Sequence, residues 1–282
     1  MALTSTNQII QDFIDFNDAM VQSWYEDVVS GISKTFETDP TYPWTVFTGN
    51  TKSPIFELEG MPEPYLGNPC AEHSVVILNF NPGSCSGANS LNNVKDIAIP
   101  DNFINQIANH PYSDFAASFD FDHWNPTAQW HLRRLKWVRR VLDNNSLSNP
   151  VMIEACPLHS ASWNSAVLNR KGPKDYVIEH AIIPAIELVR NSTEKKGFVF
   201  GKRLCELMEE QLKNSGATGT WEEFYQLNPQ GVIWPTSKQG KPSQRVYRRY
   251  KDEDITILCT WCPLDYGEPD MRFFDIERQI IK

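Results

Sequence analysis

The sequence predicts an α/β fold, a three-layer α/β/α sandwich with a central, mainly parallel four-stranded sheet, and three observations predict it. Four short runs are apolar on both alternating faces: Val75 to Asn79, Val151 to Ala155, Gly197 to Gly201 and Ile255 to Thr260. Helical periodicity fills the intervals, over His131 to Asp143, Val177 to Arg190 and Lys202 to Lys213. Strands apolar on both faces that alternate with helices form a parallel sheet covered on each side. No repeat, low-complexity tract or linker divides the 282 residues, which read as one domain: a helix and irregular extension over 1–60, and a core over 61–266.

Each element has its local reason. Ile9, Ile10, Phe13, Met20, Val21 and Trp24 recur at roughly helical spacing and predict an opening amphipathic helix packed on the body. From Thr38 to Pro69 the chain is rich in Pro, Gly and aromatics, as in "DPTYPW" and "MPEPYLGNP". It reads as an irregular but ordered approach to the first core strand, because a flexible linker would leave those rings in water. Asp175 is placed to cap the third-layer helix that follows it, and Gly216 to stop the helix over 202–213.

Composition narrows the function classes. The formal net charge is −9 and 41% of residues are hydrophobic, so the surface as a whole does not attract nucleic acid or anionic lipid. No window approaches the ~20 apolar residues of a membrane helix, and the first eighteen residues lack a basic-then-apolar leader. The expectation is a cytoplasmic protein with no membrane partner. Six dispersed cysteines, Cys70, Cys85, Cys156, Cys205, Cys259 and Cys262, do not form the dense framework of a secreted domain, and reduced thiols are expected. Cys259 and Cys262 form a C-x-x-C without a second close pair, so neither metal nor cofactor is expected.

Two local segments oppose the average charge. Lys238, Lys241, Arg245, Arg248, Arg249 and Lys251 share a stretch without one acid, interleaved with Tyr247 and Tyr250. Arg133, Arg134, Lys136, Arg139 and Arg140 crowd the helix that carries Trp137. Cations beside aromatics suit phosphate contact with base stacking, which makes Arg133, Arg134, Lys241, Arg245, Arg248 and Arg249 candidate contacts to DNA. The alternative is a solvated face whose cations pair with the plentiful acids.

The first core strand ends in "ILNFNPGS". Ligands of open parallel sheets gather outside the carboxyl ends of strands, and Pro82 and Gly83 fix a tight corner there. Asn79 and Asn81 either orient a water or a planar ring there, or satisfy turn backbone. Phe80 either stacks on a ligand or joins the core. In "MIEACPLHSASWN", His159 with Ser160, Ser162 and Asn164 either donates to substrate or serves the structure.

These residues carry a resemblance. "ILNFNPGS" resembles the first motif of the uracil-DNA glycosylase superfamily, in the Gly-x-Asn-Pro-Gly form of its thymine and mismatch-type members. "MIEACPLHSASWN", "GFVFGKRLCELM" and "ITILCTWCPLD" follow in an order similar to the superfamily's later strands, so the likeness covers roughly 61–266. It implies hydrolysis of the N-glycosidic bond of a damaged or mispaired base, with Asn81 and His159 as catalytic candidates. It further implies a pocket drawn from Asn79, Phe80, Pro82, Gly83, Ser84, Ser160, Asn164, Trp261 and Cys262. Two departures stand out: Asn79 replaces the family glycine, and Cys262 precedes Pro263 where many members place a histidine. A noncatalytic nucleotide or nucleic-acid binder, or a hydrolase of a small nucleoside-like molecule, fits the same pattern.

Overall fold

The computed structural model describes residues 6–48, 55–83, 107–121, 129–160, 165–226 and 245–261. Helix α1 (Thr6–Trp24) opens the chain and runs into a π-helical turn, Tyr25–Val29. Short helices α2 (Thr35–Thr38) and α3 (Pro43–Phe47) lead to strands β1 (Tyr65–Leu66) and β2 (Val76–Asn79). Helices α4 (Tyr112–Ala117) and α5 (Gln129–Leu142) precede β3 (Val151–Glu154). Helix α6 (Lys171–Val177) passes through a π turn, Ile178–Ile182, into α7 (Ile183–Asn191). Then come β4 (Lys196–Phe200), α8 (Lys202–Asn214), β5 (Thr220–Gln226), β6 (Arg245–Lys251) and β7 (Thr256–Trp261).

The sheet has seven strands in the order β1-β3-β2-β4-β7-β6-β5, three more than the sequence predicts. The four expected strands are its centre, and β3, β2, β4 and β7 run parallel. Antiparallel β1 closes one edge against β3, and the antiparallel pair β5/β6 extends the other beyond β7. The additions were hidden for different reasons. β1 is two residues long within a Pro-rich approach, while β6, "RVYRRYK", has an alternation obscured by its arginines.

Side-chain parity places the layers. Trp137 of α5 meets Phe198 and Phe200 edge-on, with centroids 5.7 and 5.5 Å away. The intervening β4 residues face the other side, where a Cβ on Gly197 would lie 2.8 Å from Val189 of α7. Cys259, the register partner of Val199, is hydrogen-bonded to Cys205 of α8. Helix α5 therefore covers one face, and α7 and α8 the other.

Helix α1 packs as its periodicity predicts, with Ile10, Phe13, Ile14, Met20, Val21 and Trp24 buried and Trp24 Nε1 donating to the Leu58 carbonyl at 2.9 Å. Asp175 lies inside α6 in an i,i+4 ion pair with Lys171, so the helix begins before the expected cap. Gly216 does end α8, at φ 76°.

His180, in the π turn, stacks on Phe16 of α1 with centroids 3.8 Å apart, and burial depresses its pKa to about 4. The unfolded imidazole titrates near 6.5. Stability from the neutral ring is therefore present above about pH 6.5 and is lost as the pH falls toward about 4. Between pH 7 and pH 5 the protein is expected to lose about 2 kcal/mol that a His180→Gln variant does not lose. Urea unfolding of both proteins at the two pH values checks this; equal losses would rule it out.

Candidate functional site at the strand ends

Strands β2 and β3 finish side by side, with Asn79 and Glu154 as register partners. Beyond them the two chains stay paired through Ala155 N to Asn79 O at 2.9 Å, Cys156 N to Phe80 O at 2.7 Å and Ser160 N to Gly83 O at 2.7 Å. The approach segment lines the other side of β3, through Glu154 N to Pro64 O, Glu63 N to Pro157 O and Glu57 N to His159 O, each 2.9 Å. Three segments of irregular backbone thus lie in fixed mutual register at the carboxyl end of the parallel strands. Gly83, at φ 89°, has open space where a side chain would be.

A buried polar group lies on the face covered by α5. Asn79 Nδ2 donates to Glu154 Oε1 at 2.8 Å, and His131 Nε2 of α5 lies 3.3 Å from the same oxygen. All three residues are buried. A carboxylate only accepts hydrogen bonds, so the Asn79 amide must turn its nitrogen toward Glu154. Its Oδ1 and the second carboxylate oxygen, Glu154 Oε2, are then buried without hydrogen-bond partners. Along the same face, the β4 end brings Phe200 beneath the Arg134 guanidinium, 4.9 Å from the ring centre. The β7 end brings Thr260, whose hydroxyl accepts from Arg245 at 3.3 Å.

His159 belongs to a second buried polar group. Its Nε2 lies 3.0 Å from the Met61 carbonyl and 3.5 Å from Glu63 Oε1. Burial opposes its protonation, but the hydrogen bond and charge of Glu63, with the Met61 carbonyl, outweigh it and raise the pKa. The ring is thus anchored to the approach segment, and its buried Nδ1 has no hydrogen-bond partner. Asn81 is buried nearby, its Nδ2 donating to the Ser160 carbonyl at 3.4 Å.

The other expected pocket residues divide. Pro82 and Gly83 are half-buried at the corner, Ser160 is buried beside it, and Trp261 is buried at the end of β7 opposite Val246. Phe80 is buried with its ring on the backbone of Gly201, where a Cβ would lie 2.0 Å from its Cε2, so its near face is covered. Ser84, Asn164 and Cys262 lie outside the described residues, as does Lys241 of the basic set.

The cations of the expected basic rim lie in different settings. Arg133 is exposed on α5, but Arg134 and Arg245 are buried. Arg248 makes a two-pronged pair with Glu209 of α8, at 2.5 and 3.1 Å, and stacks over Trp221. Arg249 pairs with Glu222 across the β5/β6 ladder. Alternation along β6 sends these cations to opposite faces, and the acids of β5 and α8 meet them. Over 245–251 the basic segment is a strand, and its Arg248 and Arg249 pair with acids of the same chain.

Sequence reasoning passed over Glu154, His131 and Glu63. Glu154 had a signal, as the one acid within a strand otherwise apolar; a charge in such a run must find a partner. His131 and Glu63 meet their partners only through the tertiary fold. Among the described residues, no group of three His, Cys, Asp or Glu side chains is disposed to hold a metal ion. No helix among them is long and apolar enough to cross a membrane. Compared with known protein families, curated proteins and solved structures, the chain matches none, so the site's chemistry rests on these residues alone.

Proposed function

We propose that the chain hydrolyses the N-glycosidic bond of a damaged or mispaired DNA base held at the carboxyl ends of β2 and β3. The observation that carries this reading is the Asn79–Glu154 pair, polar and buried at the end of an apolar sheet, with Asn81 two residues further on. Such a pair ties the β2 and β3 ends together in a dry layer and gives the Asn81 corner a rigid base. Asn81 holds the attacking water in this reading, and His159, whose pKa the Glu63 carboxylate raises, offsets charge on the departing base. The motif order that resembles the uracil-DNA glycosylase superfamily supports the same chemistry.

A second reading, hydrolysis of a small nucleoside-like molecule, is favoured by the burial of Arg134 and Arg245 and the internal pairing of Arg248 and Arg249. One assay separates the two. Labelled DNAs carrying uracil, thymine mismatches, hypoxanthine or oxidised bases are incubated alongside free nucleosides, with wild type and Asn81→Ala. Abasic-site formation that falls at least about 100-fold in the variant is the expected result. Release of base from nucleosides alone would favour the second reading, and no release from any substrate would reject both.

A further inference from the structure

Helix α5 carries five Lys and Arg and no acid over Gln129–Leu142, in a chain whose 35 Asp and Glu outnumber its 26 Lys and Arg. The fold divides the five. Arg134 is buried over the Phe200 ring, and Arg139 donates through Nε and Nη2 to the Leu147 carbonyl at 3.2 and 3.0 Å. Arg133, Lys136 and Arg140 are exposed, and over 131–142 no other residue is. Their spacing, i, i+3 and i+7, sets them in one stripe about 10 Å long.

Helix stability does not ask for such a stripe. Like charges three and four residues apart repel, and of the three only Arg140, in the last turn, gains from the helix dipole. On α6 and α8, by contrast, Lys171 meets Asp175, Lys174 meets Glu210, and Lys202 and Arg203 meet Glu206. The side chains of Lys136 and Arg140 make no ion pair or hydrogen bond among the described residues. The stripe begins two residues past His131, which lies 3.3 Å from Glu154 at the end of β3, so it leads away from the carboxyl ends of the strands.

We infer that this stripe docks the phosphodiester backbone of the DNA whose base is presented to the strand ends. The inference rests on the reading of DNA as the partner, and not on bond cleavage. A chain of closely spaced phosphates meets three cations at once and releases counterions at each, whereas a lone phosphate or carboxylate meets one. The net charge of −9 repels the same polyanion elsewhere on the surface, which orients its approach to α5. Contacts of this kind position the duplex and carry no sequence preference.

Fluorescence anisotropy of the full chain with a short labelled DNA duplex, between about 50 and 200 mM salt, tests this. The triple variant Arg133→Gln, Lys136→Gln, Arg140→Gln keeps helix propensity and changes only exposed side chains. A control with Lys171→Gln, Lys174→Gln and Lys202→Gln removes the same charge from α6 and α8. The stripe variant is expected to bind at least about tenfold more weakly at low salt, with a slope of log affinity on log salt shallower by about 2–3, while the control keeps the wild-type slope. No binding by wild type, an unchanged slope in the stripe variant, or an equal loss in the control would each overturn the inference. Wild-type binding to phosphatidylserine vesicles as tight as to DNA would reassign the stripe to lipid and overturn it too. A wild type that binds DNA through the stripe and releases no base keeps this inference and rejects cleavage. A stripe variant that binds DNA as wild type does and still releases base does the reverse.

Discussion

Gly201→Ala is expected to cost at least about 3 kcal/mol, with a fall in Tm of roughly 6 °C or more for a chain of this size. Two separate penalties meet at this position. Its φ of 121° lies where side-chain-bearing residues are strained. A Cβ would also sit 2.0 Å from Cε2, 2.8 Å from Cζ and 2.9 Å from Cδ2 of Phe80. Neither side can easily move. Gly201 joins β4 to α8, with its amide on the Thr260 carbonyl at 3.0 Å and its own carbonyl accepting from Cys205 N at 3.1 Å. The Phe80 ring is buried, 4% exposed, and its backbone is held by the bond from Cys156 N to its carbonyl. Combining Gly201→Ala with Phe80→Leu separates the penalties: the pair is expected to cost less than the sum of the single changes, because the shorter side chain removes the collision but not the strain. Additive costs would show that the ring and the glycine are not in contact.

Asn79→Asp is expected to destabilise the protein by about 4 kcal/mol at pH 7, and by less in mild acid. The change removes the donor 2.8 Å from Glu154 Oε1 and puts a second carboxylate in its place, in a buried layer. Like charges at that distance raise the pair's folded-state pKa above the ordinary carboxylate value of about 4. As the pH falls, the folded variant takes up a proton before the unfolded chain does, and the shared proton restores one hydrogen bond. The deficit relative to wild type therefore shrinks with acidification. Asn79→Ala, which loses the donor without adding charge, is expected to cost about 2 kcal/mol. Denaturant unfolding of the three proteins at pH 7.5 and pH 5 measures both. A deficit for Asn79→Asp that is the same at both pH values would mean that Glu154 is not the neighbour that matters.

Much of the fold was legible because the hydrophobic pattern was unambiguous. Val76–Asn79, Val151–Glu154, Lys196–Phe200 and Thr256–Trp261 fall within a residue of the expected strands, since apolar runs of that length flanked by Pro, Gly or Asn have few other uses. The edges of the sheet were not legible. Strand β6 puts Tyr247 and Tyr250 in the core and its arginines against acids, and a reader who counts charges sees a patch where the chain has a strand. The site was half legible. Asn79 and Asn81 stood out at the corner, whereas the partner that gives Asn79 its chemistry lies 75 residues downstream. His131 reaches Glu154 only because Trp137, one face of the same helix, seats α5 on Phe198 and Phe200.

The strand order also sets a timetable for synthesis. The ribosome delivers β2 first among the central strands, then β3 on one side of it, β4 on the other and β7 beyond, so the sheet grows outward from its middle. Each addition bridges a long stretch of chain, and such distant pairings form slowly. Until Thr256–Trp261 has emerged, β4 has no partner on one side, and the unpaired N–H and C=O groups along that edge of an apolar strand are open to any other chain. A polypeptide interrupted before that strand would therefore be prone to aggregate rather than persist as a partial domain.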